Sequence, residues 1–133
     1  MGIFQSIYED MTIIMEVSPL MSMPSIQQGY INLNVGGTFF TTSRDTLTRY
    51  PGSTLHSMFS KDGISTVPKD DLGRFIIDRD GSVFGFILNF LRSGSLNLPT
   101  DFTAHEQLID EADYFQLPDM KKLIITRVRC VHY

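Results

Sequence analysis

Residues 31–51 read INLNVGGTFFTTSRDTLTRYP, from Ile31 to Pro51. Inside this stretch the hydrophobic period changes from that of a strand to that of a helix, and the change decides the fold. Ile31, Leu33 and Val35 alternate with Asn32 and Asn34, the pattern of a strand buried on one face. Gly36-Gly37 suits a two-residue hairpin turn, where positive φ must be tolerated. The aromatic and β-branched run TFFTT then predicts the returning strand. Ser43 predicts the N-cap of a short helix holding Leu47, which must end near Tyr50 because Pro51 follows. A phosphate cradle would need a further glycine and a lysine that this stretch lacks, so the glycine pair is a turn.

Downstream, Ser53 predicts the cap of a second short helix with Leu55, Met58 and Phe59 on one face. SKDGISTVPKDDLG is a polar, turn-rich loop, and RFIID a further short strand. Asp80 predicts the cap of the next helix, GSVFGFILNFLRSG, which Gly94 closes. Val83, Phe84, Phe86, Ile87, Leu88, Phe90 and Leu91 make that helix apolar around most of its circumference, so it should be the buried spine. Thr103 and Glu106 match a capping box for a helix with Leu108, Ile109, Ala112 and Phe115 inward and Glu106, Asp110, Glu111 and Asp113 outward. Pro118 suits the first turn of a last helix that buries Leu117, Met120, Ile124 and Val128 and exposes Lys121, Lys122, Arg127 and Arg129. The order is two strands, two helices, a strand and three helices: an α/β (α+β) domain with a small sheet packed against about five helices.

The 133 residues suffice for one domain plus an arm. Residues 1–28 form an arm in which Ile3, Ile7, Met11 and Ile14 follow helical spacing; it is read as flexible or as a partner-docking element. The domain runs over 29–128, and 129–133 is a short tail. No stretch is long and apolar enough to span a bilayer, and the net charge of -4 gives no basic footprint for nucleic acid or an anionic membrane. The single cysteine, Cys130, excludes an internal disulfide and points to a reducing compartment: the cytoplasm, with the nucleus as second choice.

No catalytic or metal-binding constellation stands out in the sequence. His56, His105, His132 and Cys130 are scattered; CVH at the chain end offers a weak zinc or Cys-His pair. Asp78 and Asp80 flank Arg79 and read as a cap plus salt bridges rather than paired catalytic carboxylates. The expectation is no enzyme, no metal and no cofactor.

Three ordered motifs carry a resemblance: LNVGGTFFTTSRDTLTRYPGSTLHSMF, FIIDRDGSVFGFILNFLRSGSLNLP and EADYFQLPDMKKLI. Together they resemble the BTB/POZ domain of the potassium-channel-tetramerisation-domain (KCTD) family over about Tyr30 to Arg127. The resemblance implies self-assembly into a ring through polar faces, five subunits rather than four. Arg44, Asp45, Arg49, Asp78, Arg79 and Asp80, a mixed-sign set at helix starts and turns, are the interface candidates; the bland alternative is a solvated surface. It also implies docking of cullin-3, as a ubiquitin-ligase adaptor, with Met58, Phe59, Tyr114, Phe115 and Leu117 as matching residues. Phe59 and Phe115 also fit inward stripes, and Tyr114 falls off the Leu108–Ala112–Phe115 face, which makes it the leading contact. The alternative is a pure oligomerisation module, such as a potassium-channel tetramerisation domain or a client-modulating subunit, without cullin binding. A chain complete at Tyr133 would enter rings with longer relatives and dilute their clients.

Overall fold

The computed structural model describes residues 30–131. The expected arm over 1–28 and His132 of the CVH pair lie outside them. Strands β1 (Tyr30–Val35) and β2 (Thr38–Ser43) are followed by helices α1 (Arg44–Leu47) and α2 (Thr54–Phe59) and a 3-10 turn at Ile64–Thr66. Strand β3 (Phe75–Ile77) and helices α3 (Phe84–Ser93), α4 (His105–Tyr114) and α5 (Pro118–Val131) complete the order. The expected mixed α/β arrangement is thus observed, with sheet order β2-β1-β3.

In β1, Ile31, Leu33 and Val35 are buried and Asn32 is exposed, as the alternation requires. Gly36 and Gly37 have φ of 57° and 96°, the positive values of a tight hairpin turn. Thr41 Oγ1 donates to Asn32 Oδ1 across the two strands at 2.7 Å. On the other side β1 pairs in parallel with β3, Leu33 opposite Phe75 and Val35 opposite Ile77. The Gly36 amide extends that ladder, donating to the Ile77 carbonyl at 3.0 Å. A Cβ on Gly36 would strike the Arg79 carbonyl, and one on Gly81 the Val35 carbonyl. The hairpin turn and the β3–α3 connection therefore interlock backbone to backbone.

Local caps set the short helices. Ser43 Oγ accepts from the Thr46 amide and Ser53 Oγ from the His56 amide, each at 3.1 Å. Between them and β3, Asp70 organises the loop. Its carboxylate accepts the Leu72 and Arg74 amides at 2.9 Å, Arg74 Nε at 2.8 Å and Asn34 Nδ2 at 3.2 Å. Burial pushes the Asp70 carboxyl up, but those donors, Arg74 first, outweigh it and hold the pKa at about 2.

Helix α3 is the spine. Phe84, Ile87, Leu88, Phe90 and Leu91 are buried, while only Asn89, Arg92 and Ser93 of its residues are exposed. Gly94, at φ 76°, ends it by donating to the Phe90 carbonyl at 2.7 Å. Edge-on ring contacts tie it to β2 and to α4's end: Phe40–Phe84 at 5.2 Å and Phe84–Phe115 at 5.5 Å.

Two expected caps are corrected. Asp80 does not cap α3. Its Oδ1 accepts the Ser82 amide at 2.8 Å in a turn inserted where Gly81 squeezes against β1, and α3 starts later, behind Val83, without a side-chain cap. The Thr103–Glu106 capping box does not form either. Helix α4 starts at His105 behind Ala104, where Phe102 stacks edge-on with both Phe86 and His105 at 5.0 Å. Ring packing, not the threonine hydroxyl, sets the entry. In α5, Met120 and Ile124 are buried and Val128 half-buried; Arg127 is not merely solvated, since Nη2 donates to the Leu98 carbonyl at 2.9 Å. Among the described residues no helix is long and apolar enough to cross a membrane.

Leu88 is 1% exposed at the centre of the spine, so Leu88→Ala should cost about 2–5 kcal/mol through lost transfer energy plus a cavity. Urea denaturation of the purified domain checks this; an unchanged midpoint would mean the helix can collapse around the deletion.

Candidate assembly and partner surfaces

The six assembly candidates divide by what they touch. Arg44, Asp45 and Asp78 are exposed, and among the described residues none of them is in an ion pair. Arg49 is exposed along its length, but Nη1 donates to the Leu91 and Arg92 carbonyls at 3.1 and 2.9 Å. These are orphan acceptors at the C-terminal end of α3, where a cation is favoured. Arg49 thus staples α1's exit to the spine. Asp80 is also engaged internally, accepting Gln107 Nε2 from α4 besides the Ser82 amide. The Ser82 amide above all holds its carboxyl below the usual range, with the Ser82 hydroxyl and Gln107 assisting against a small burial effect.

Arg79 pairs with neither flanking aspartate. Its Nε donates to Glu111 Oε1 at 3.1 Å and its Nη2 to Glu111 Oε2 at 2.6 Å, a bidentate fork. The guanidinium carbon lies 3.9 Å from the centroid of the Tyr114 ring. The Glu111 hydrogen bonds raise the Arg79 pKa above its ordinary value, against opposing desolvation. Glu111, expected on the solvated side of α4, is 5% exposed. It occupies the second slot of the run Leu108, Glu111, Ala112, Phe115, the inward stripe itself. That slot was the available signal: an acid on an inward stripe demands a cation from elsewhere in the fold.

The five partner candidates also divide. Phe59 and Phe115 are 0% exposed and Leu117 1%; Phe59 packs edge-on to Phe75 at 5.3 Å and Phe115 to Phe84. Their inward stripes decide their place, and these three are core rather than contacts. Met58 is half-buried, and Tyr114 is 47% exposed. The two belong to elements that the fold joins. The Thr54 amide donates to the Phe115 carbonyl at 2.9 Å, and Thr54 Oγ1 to the Tyr114 carbonyl at 3.0 Å. The start of α2 therefore caps the end of α4, with Met58 one turn along from Thr54. Gln116 turns the chain at φ 57°, a left-handed conformation at the helix end. Among the described residues no group of three or more His, Cys, Asp or Glu side chains could hold a metal.

Among the described residues, a small three-stranded sheet packed on five helices, with charged turns and three exposed aromatics (Tyr30, Phe39 and Tyr114) outside, is the build of an interaction domain. The family model described as BTB/POZ domain matches residues 31–124, and the chain belongs to that family. Its curated relatives place it in the KCTD branch. BTB/POZ domain-containing protein KCTD5 of Rattus norvegicus is 37% identical over 113 residues, 85% of this chain and 48% of that protein. BTB/POZ domain-containing protein KCTD21 of Mus musculus and of Homo sapiens is 51% identical over 87 residues, 65% of this chain and 33% of the relative. The chain spans about half of the first relative and about a third of the others. The domain is a protein-interaction and self-association module.

Replacing Arg79 by methionine removes the only cation paired with a nearly buried carboxylate among the described residues. Because the Arg79 side chain keeps 29% of its surface in water, the loss should be about 2–4 kcal/mol, toward the low end for breaking such a pair. Denaturation of Arg79→Met and of Arg79→Met with Glu111→Leu checks it. The double variant should recover most of the loss, since a paired apolar replacement leaves no unpaired charge.

Proposed function

We propose that the domain is a self-assembling adaptor subunit of a cullin-3 ubiquitin ligase, acting in the cytoplasm or nucleus. Five copies close into a ring, and each docks the cullin through the surface around Tyr114 and Met58. The observation that carries this reading is Tyr114. Among the five expected contacts it is the large aromatic left exposed, held in place by a cation on its face. Aromatic anchors of this kind commonly dominate interface energy. Assembly is supported by Arg44 and Asp45 on α1 and Asp78 just past β3, exposed charges of both signs with no ion pair among the described residues. Opposite charges on two faces can meet head to tail in a second copy and close a ring. The alternative is assembly without cullin binding.

Light scattering at micromolar concentration should give the mass of five copies. Arg44→Glu and Asp78→Arg should each lower that mass, and their combination should restore part of it; a wild-type monomer would remove the ring.

Titration with purified cullin-3 N-terminal domain should show binding that Tyr114→Ala weakens by about thirtyfold or more. Rings that ignore the cullin would leave the pure assembly module.

A further inference from the structure

We infer that Arg79 is a positioning residue for Tyr114, not a contact in the ring, and that through it the β3–α3 connection sets the partner surface. This deepens the docking reading and rests on it. Segment 78–80 sets Arg79 between the exposed Asp78 and Asp80, whose carboxylate is engaged by Ser82 and Gln107. It clamps α4 at three points: the Arg79 fork on Glu111, the Arg79 guanidinium over the Tyr114 ring, and Asp80 on Gln107. Glu111 and Tyr114 are three residues apart on one helix, so they stand on one face within reach of a single guanidinium. The carboxylate fixes the plane of that guanidinium, and the plane in turn supports the ring. On its other flank the Tyr114 ring meets Phe115 edge-on at 5.0 Å. An exposed tyrosine at a helix end ordinarily samples several rotamers; this one is held before any partner arrives. Such pre-organisation removes an ordering cost from docking. The arginine itself keeps its backbone pinned, since its carbonyl abuts Gly36 in the hairpin turn. The ring's support therefore joins the hairpin turn, through the Arg79 backbone, to Glu111 of α4.

The experiment uses Arg79→Lys, which keeps the charge beside Glu111 but cannot form the fork or a planar stack. Cullin-3 N-terminal domain affinity is measured for wild type, Arg79→Lys, Tyr114→Ala and the double variant, with assembly mass monitored throughout. Arg79→Lys should weaken binding by about five- to tenfold in the wild-type background and leave it unchanged in the Tyr114→Ala background, with mass unaltered. Equal losses in both backgrounds, or a fall in mass, would overturn the inference, because Arg79 would then be contacting the partner or a neighbouring copy directly. Aromatic resonances of the free protein give a readout independent of the cullin. Arg79→Lys should move those of Tyr114 while those of Tyr50, packed on Phe90 at 5.2 Å, stay in place. If wild type binds no cullin, the docking reading fails, and these resonances still decide the positioning role: unmoved Tyr114 signals overturn it.

Discussion

The close approach of the hairpin turn to the β3–α3 connection is the constraint on which the rest of the structure depends. Gly36 lies against the Arg79 carbonyl and Gly81 against the Val35 carbonyl, so neither position has room for a side chain. At Gly36 the positive φ adds a second reason for glycine. The contact does three things at once. It carries the parallel β1–β3 ladder one residue past Val35, through the Gly36 amide on the Ile77 carbonyl. It forces a turn before α3, so that the spine starts at Phe84 and lays Phe84 against Phe40 and Phe115. And it anchors the backbone from which Arg79 reaches α4.

Once Arg79 is anchored, the ion pair with Glu111 follows from burial. A carboxylate 5% exposed on an inward helix face would be severely destabilising alone. Its fork with Arg79 offsets that penalty without giving a large net gain, because both partners lose hydration. What the pair adds is geometry. A bidentate fork accepts one rotation of α4 about its axis, whereas the apolar stripe of Leu108, Ala112 and Phe115 tolerates small rotations. Since α4 ends at Tyr114, fixing its rotation also fixes where the exposed aromatic stands, and the capping of that end by Thr54 fixes its position along the axis. Stability and the placement of Tyr114 are thus joined through one electrostatic contact.

What the sequence made legible was whatever a few consecutive residues decide. The β1 alternation, the glycine turn, the caps at Ser43 and Ser53, the stop at Gly94 and the start at Pro118 all depend on neighbours within one helical turn or one hairpin. The spine was legible because no arrangement of that many aromatics and aliphatics leaves it exposed. The unread features each depend on a distant partner. Arg79 and Glu111 are 32 residues apart, and Arg49 and the Leu91 carbonyl 42. The start of α4 went to Phe102 because a ring wedged between Phe86 and His105 outweighs a hydroxyl cap, an outcome invisible to the Thr103–Glu106 pattern. In the partner set, Phe59 and Phe115 carried their own warning, an inward stripe, and the stripe decided them.

The arginines show how far a formal charge count misleads about a surface. Arg49 is committed to helix-end carbonyls, Arg74 to Asp70, Arg79 to Glu111 and Arg127 to the Leu98 carbonyl. These four cations look free in the sequence but are internal staples: Arg49, Arg79 and Arg127 hold elements distant in the chain, and Arg74 closes a local loop. Acids are less fully committed: Asp45, Asp78 and Asp110 are exposed and in no ion pair among the described residues. On α1, Arg44 is exposed and in no ion pair among the described residues. A self-association resting on so few unlike-charge contacts gains little from each and is screened beyond about 10 Å in ordinary salt. Contacts of this kind gain strength when a closed assembly repeats the same short-range match on both sides of every subunit.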